Sequence, residues 1–550
     1  MWTIPEKLPS WTSERTLNQD LKKYVLAVDH GTSGVKTALM SVYGELLAFE
    51  YEKTPVQFLP GGGAEQDPEL WWNALVNTCR KLVQKRLVAP GDIAAICCSS
   101  TFSSTVAVGP DGRHLANSLT WMDSRGAPYI KEIVSGFPAI DGYAVFTMLP
   151  WIYKTGGGPQ LSGKDDLAHV LWWKHERPDV YKDARMFLGS KDYLNLRLTG
   201  RFAAGYDSMS LFWLTNTRDI NNMFYDEALV KKVGIERGKL PPMRRSIDVL
   251  GPLQPEVADA IGVPRDTRVV TGSPDHQSAC IGSGAVRDFE GHVYIGTSSW
   301  IQCVVPFKKT DMFHSIASLP TAIPGKYYAV NEQDIAGGAL AFLVENILYH
   351  RGRLRNEGPP ADVYQQLDAI AASVPPGANG VIFTPWLNGE RTPVDDTTVR
   401  AGLMNLGMTT TSDDVVRAVM EGIALNTRWA LGYVEKFIGR RMDPLNIVGG
   451  GARSEVWCRI FADALNRTVR QVKDPMQANA RGAAFIAAVG MGYISFDDVP
   501  DLVEYANTFE PDPKNRKLYD AMFTEFVNIY KNNKAMYRRM NGARKEKEWT

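Results

Sequence analysis

Two aspartates and three glycine turns are the groups in this chain whose types and spacing could do chemistry. In Asp29-His30-Gly31-Thr32-Ser33-Gly34-Val35-Lys36, a carboxylate precedes a Gly-Thr-Ser-Gly turn and a lysine follows it. A tight turn of this composition converges backbone N–H groups and hydroxyls on an anion, which makes Gly31, Thr32 and Ser33 candidate phosphate contacts. Lys36 would add positive charge, and the hard oxygens of Asp29 suit Mg2+ held partly through water. A plain hairpin turn would have the same composition. What favours the phosphate reading is an echo at Gly296-Thr297-Ser298, again between two β-rich runs, which brings in Gly296 and Thr297.

The third turn, Gly449-Gly450-Gly451, joins an apolar run to a helical one, where missing side chains let a flat ligand approach the backbone. Gly450, Gly451 and Ala452 are therefore candidates for a nucleotide base and ribose, and Gly337 opens an apolar helix in a similar way. Asp275 follows Gly272-Ser273-Pro274 at a strand-to-helix junction. Two roles are open to it: helix N-cap, or a general base that accepts the proton of an attacking hydroxyl and aligns that oxygen on phosphorus. His276 beside it is a candidate contact for a polyhydroxy substrate. Each Gly-Lys pair is followed by something other than Ser or Thr, which excludes a Walker-type phosphate loop. None of the eight histidines has zinc-ligand spacing.

The elements that must position these groups follow from periodicity. Runs at residues 24–28, 35–41 and 45–51 predict a three-stranded meander. Asp67 and Pro68 open a helix carrying Trp71, Leu75, Cys79, Leu82 and Val83 at helical spacing. An apolar strand at 94–98, a Ser/Thr-rich tip at 99–105 and a return strand at 106–108 follow. Later, Ser412 caps a long amphipathic helix, a strand at 445–448 enters the glycine triplet, and a helix spans about 453–465. Strands alternating with helices predict an α/β fold.

At 550 residues and 44% hydrophobic content, two large cores are expected, in domains at 24–285 and 286–530. A polar extension (1–23) precedes them, and a polar, basic stretch (531–550) follows as a helix end and tail. Lys plus Arg (61) cancel Asp plus Glu (61), so no polybasic footprint for nucleic acid or membrane is present. No signal-like or membrane-spanning apolar run occurs. The six cysteines lack C-x-x-C spacing and read as reduced thiols of a cytoplasmic protein.

Together with Glu65-Gln66-Asp67-Pro68, Thr120-Trp121-Met122-Asp123-Ser124-Arg125, Lys191-Asp192-Tyr193-Leu194 and Gly389-Glu390-Arg391-Thr392-Pro393, these residues resemble the FGGY family of carbohydrate kinases. The resemblance runs from about residue 24 to 500. It implies the duplicated actin-like, hexokinase-type (ribonuclease H-like) ATPase fold, two lobes about a central cleft. It further implies ATP in that cleft, Mg2+ near Asp29, Asp275 as base, and a small ketose or polyol as acceptor, with a pentulose such as xylulose or ribulose favoured. A homodimer is compatible with it. Residues 389–393 and 449–454 look most like xylulokinases, which usually carry Gln-Met-His where this chain has Thr101, Phe102 and Ser103, and Asn where it has His276. Those exchanges alter the donor and acceptor pattern offered to a sugar and count against D-xylulose itself. Trp121 would supply an apolar wall. The fold also serves nucleotide-dependent, chaperone-like interaction proteins, against which the intact Asp275 and residues 389–393 weigh.

Overall fold

The computed structural model describes residues 22–140, 142–350 and 358–542, so most of the polar N-terminal extension and the end of the basic tail lie outside the described residues. The predicted meander is formed by β1 (Tyr24–Gly31), β2 (Gly34–Ser41) and β3 (Leu46–Lys53), all antiparallel. Its register pairs Asp29 with Lys36 and Gly31 with Gly34, leaving Thr32 and Ser33 as the whole turn. Helix α1 (Pro68–Gln84) begins as expected, with the Asp67 side chain accepting the Glu69 N–H, and buries Trp71, Leu75, Cys79 and Leu82.

Strand β4 (Ile93–Ser100) runs parallel to β1. The expected return strand, β5 (Thr105–Val108), does not pair with it. Both edges of β4 are already taken, and β5 instead joins β6 (Met186–Gly189) in a separate five-stranded sheet. The chain leaves the first sheet at the tip, where Ser103 holds a left-handed backbone (φ 51°). Helix α2 (Asp166–Glu176) precedes β6, and α3 (Ser190–Thr199) follows it. Strands β7 (Val249–Pro252) and β8 (Arg268–Val270) complete the first sheet, and α4 (Asp275–Gly282) leaves its end.

The second sheet comprises β9 (Gly291–Ile295), β10 (Ser299–Val305), β11 (Thr310–Asp311), β12 (Ile316–Pro320), β13 (Tyr327–Val330), β14 (Leu445–Val448), β15 (Val469–Val472) and β16 (Tyr505–Phe509). Duplication is visible in the topology. The first sheet has the order β7-β8-β4-β1-β2-β3 and the second contains β16-β15-β14-β9-β10-β13. Position for position, the strand senses agree: antiparallel, parallel, parallel, antiparallel, antiparallel. The two Gly-Thr-Ser turns occupy the same hairpin in each copy.

Helices α5 (Gly337–Phe342), α6 (Ser412–Ile438), α7 (Glu455–Leu465), α8 (Ala478–Gly490) and α9 (Arg516–Asn541) belong to the second half. The cap of α6 is Thr411 and not Ser412, because Thr411 and Asp414 exchange side-chain and backbone hydrogen bonds and so satisfy two free N–H groups reciprocally. Residues 531–541 continue α9 and bury Tyr537 against the second core.

Helix α8 crosses from the second half onto the first sheet. There Ala480, Ala484 and Phe485 pack with Val25, Ala27 and Cys97, and with Val448 and Val472 of the second sheet, in one core. Its crossing with α4 leaves no room for side chains. A Cβ on Gly482 would lie 1.9 Å from the Ser278 carbonyl oxygen, and one on Gly282 would lie 1.8 Å from that of Ala478. Among the described residues no helix is long and apolar enough to cross a membrane, and the six cysteines are buried free thiols.

Candidate active site

The turn between β1 and β2 has its carbonyls occupied by the protein. Gln66 Nε2 donates to Thr32 O at 2.9 Å, while the Tyr51 hydroxyl (2.9 Å) and the Thr54 N–H (3.1 Å) donate to Ser33 O. The indole N–H of Trp121 donates to Thr32 Oγ1 at 2.9 Å and braces the turn. Asp29, buried at the end of β1, accepts from Asn479 Nδ2 of α8 at 3.3 Å, and Lys36 Nζ lies 3.8 Å from its other oxygen. Lys36 also donates to Met476 O at 3.0 Å, so both partners tie the first turn to the second half.

Asp275 is the first residue of α4, and Pro274 occupies the cap position. Its carboxylate accepts the neighbouring His276 N–H at 2.9 Å and is half-buried. Burial pushes it well above the usual carboxylate range, and the negative charge of Asp29 pushes in the same direction. The two acids therefore share one field.

His276 stacks on Trp300 (4.1 Å between ring centres), which stacks on Tyr294 (3.9 Å), and Phe102 meets the outer edge of His276 at 5.6 Å. Gln302 Nε2 donates to His276 Nδ1 at 2.6 Å, and burial lowers the imidazole to about 3. The ring is neutral, and its proton sits on Nε2. Trp300 and Gln302 were not singled out from the sequence. The available signal was an aromatic residue two positions after the second turn, with the period-two alternation of β10 placing residues 300 and 302 on one face.

Thr101, Phe102 and Ser103 form the tip after β4, held beside the first turn by the Thr101 N–H donating to His30 O at 3.0 Å. Beneath them is a small cavity also lined by Asp166, Lys191 and Ser208. In the second half, the second turn rests on α5, with the Gly337 N–H donating to Gly296 O (2.8 Å) and the Gly338 N–H to Thr297 O (3.1 Å). Gly337 thus spends its N–H on the turn. A Cβ there would lie 2.6 Å from Gly296 O.

In the triplet, Gly449 takes φ 93°, and a Cβ would meet Ile295 O at 2.5 Å. Gly450 is exposed with nothing within 4 Å of a Cβ position, Gly451 packs on Ile295 and Trp457, and Ala452 is buried. Only Gly450 presents open backbone. Arg391 pairs with Glu332 and, at 2.9 Å through Nε, with Asp334. Glu390 is buried under Asn426 and raised to about 8 by burial and by Asp334.

Contacts from Lys36 to Met476, from Asn479 to Asp29 and from Gln302 to His276 thus tie the first turn and the start of α4 to the second half. Comparison with known proteins identifies similar chains. The chain is 28% identical over 95% of its length to the whole of the xylulose kinase of Bacillus subtilis (strain 168). Its structure superposes on the gluconate kinase of Lactobacillus acidophilus with a TM-score of 0.81 and 25% identity, covering 94% of this chain and 99% of that one. The ligand-bound xylulose kinase of the same organism gives 0.80 and 25%, covering 94% and 100%. Residues 24–282 match the N-terminal domain, and residues 292–491 the C-terminal domain, of one set of phosphotransferases acting on alcohol groups: the chain belongs to the FGGY family of carbohydrate kinases.

Proposed function

We propose that this kinase transfers the terminal phosphoryl group of ATP to a hydroxyl of a small ketose or polyol, pentuloses such as xylulose or ribulose first among them, with Asp275 as the base. The observation that carries the reading is the placement of Asp29 at the end of β1 and of Asp275 at the start of α4, just past the end of β8, beside the braced first turn and the His276–Trp300 stack.

The residues present fit Mg2+ and a nucleotide. Among the described residues no three His, Cys, Asp or Glu side chains cluster as metal ligands. Asp29 and the unpartnered buried Oδ1 of Asn479 offer hard oxygens in the small number that Mg2+ takes when phosphates and water complete its shell. Gly450 leaves the space that a Cβ would fill, with Gly451 and Ala452 behind it. Magnesium-bound ATP would supply the phosphoryl group with its charge partly neutralised.

The chain's own residues do the rest. Asp275 orients the acceptor hydroxyl and takes its proton at the carboxylate oxygen not engaged by the His276 N–H. His276 Nε2–H donates to a substrate oxygen, Trp300 and Phe102 enclose the carbon chain, and the donors of the first turn and Lys36 face the phosphates. Lobe closure brings these groups together and excludes water. The six buried thiols suit a reducing, cytoplasmic setting.

The test is ADP release measured across pentuloses, tetruloses, heptuloses, glycerol, polyols and gluconate. A ketose or polyol raising the rate well above the sugar-free rate is expected, and ATP turnover indifferent to every sugar would overturn the proposal. A second result is expected for Asp29→Asn. The Mg2+ concentration giving half-maximal rate should rise on the order of ten- to a hundredfold with little change in thermal stability, read by titrating MgCl2 at fixed ATP.

A further inference from the structure

We propose that Asp166 is a specificity-determining residue at the closed end of the substrate pocket, where it receives a hydroxyl of a neutral sugar or polyol and turns away a sugar acid. The inference rests on the sugar-kinase reading above and narrows its substrate class. Ser103 is a short side chain at the tip over the pocket, and the space below it is filled from α2, where Asp166 lines the cavity with Thr101, Lys191 and Ser208.

Asp166 is 2% exposed, and an acid so deeply placed persists only when hydrogen-bonded. Thr105 Oγ1 donates to Asp166 Oδ1 at 2.6 Å and lies 2.8 Å from His169 Nδ1, whose other nitrogen is 3.4 Å from Asp123 O. One oxygen is thereby fixed from behind by a chain of buried partners.

The surrounding charges decide which ligand suits this end. The cation on the cavity wall, Lys191, is fully buried and committed to Asp192 (2.5 Å) and to the Thr271 carbonyl (3.0 Å). Asp165 on the same helix end and Asp192, the partner of Lys191, add negative charge near Asp166, and His169 is held neutral, lowered to about 4 by burial. Burial, with Asp165 and Asp192, pushes Asp166 up to about 7. This end of the pocket offers hydrogen bonds without a spare positive charge. A hydroxyl is satisfied there, whereas a carboxylate would lie beside acids with no counter-ion. The distinction is real for this fold, since a xylulose kinase and a gluconate kinase both resemble the chain.

The experiment measures steady-state kinetics of wild type, Asp166→Ala and Asp166→Asn with the preferred neutral sugar and with gluconate. Loss of one such hydrogen bond corresponds to roughly a tenfold rise in KM for the neutral sugar in Asp166→Ala, with kcat and the KM for ATP within about threefold of wild type. Asp166→Asn, which keeps both a donor and an acceptor, should restore most of that loss. At pH 8.5, where wild-type Asp166 is ionised, the same variant should lower the KM for gluconate about fivefold or more, and this arm stands even if Asp166→Ala fails to fold. Unchanged KM values for both ligands in Asp166→Asn, and in Asp166→Ala where it folds, would overturn the role of Asp166 and leave the kinase reading intact. A wild-type preference for gluconate would overturn the neutral substrate class. Absence of turnover with every sugar would overturn the kinase reading and this inference with it.

Discussion

Asp275→Asn is expected to lower sugar-dependent ADP formation by roughly 10²–10⁴-fold, the range a positioned general base contributes, while nucleotide binding survives. The substitution separates the two roles open to this residue. Asparagine serves a helix start as well as aspartate does, so an Asp275 that merely helped to begin α4 would leave the rate unchanged in the variant. Retained turnover would remove Asp275 from the chemistry.

The pH dependence has a definite sign. Burial and Asp29 raise the Asp275 carboxyl, so the native state holds its proton more tightly than the unfolded chain does. The base must be ionised to act. In the free enzyme, the acid limb of kcat/KM should therefore fall off at a pH clearly above the ~3.9 of an ordinary aspartate. For the same reason this group's contribution to stability is fully present below its unfolded value and is lost as pH rises through its folded one. Asp275→Asn should then unfold no earlier than wild type at pH 7, which a thermal melt would check.

Gly482→Ala, which itself touches no proposed ligand but lies one helical turn from Asn479, is expected to cost roughly 1–3 kcal/mol of stability and on the order of a hundredfold in kcat. The added methyl carbon would sit 1.9 Å from the Ser278 carbonyl oxygen on α4, so the two helices must separate. Asp275 begins α4 and would move with it. An ångström of displacement at an attacking oxygen is enough for a loss of that size. Denaturant melts and kcat measured on the same preparation provide the check, and wild-type values for both would show that the crossing tolerates a side chain.

The meander and the α1 cap were legible from residues 24–84 because local alternation, glycine turns and the Asp67-Pro68 pair determine them. The echo of Gly-Thr-Ser was legible as a repeat, yet its meaning as one hairpin in two equivalent sheets required strand neighbours far apart in the chain, such as β9 beside β14. Strand β5 was misplaced because alternation reports that a segment is extended and says nothing about which edge is free. Trp300, Gln302, Asn479 and Asp166 escaped notice for a related reason. Each lies in a segment that reads as ordinary β-strand or helix, and each matters only through a partner 24 to 450 positions away or through the cavity it lines.

The shared core around α8 also limits how such a chain can be taken apart. Severing it between residues 285 and 286 would leave the N-terminal fragment with Val25, Ala27 and Cys97 uncovered, and the C-terminal fragment with Phe485 and its alanine neighbours facing water. Each fragment would carry the adhesive surface of the other. Although two equivalent sheets make up the architecture, this shared core joins them into one unit.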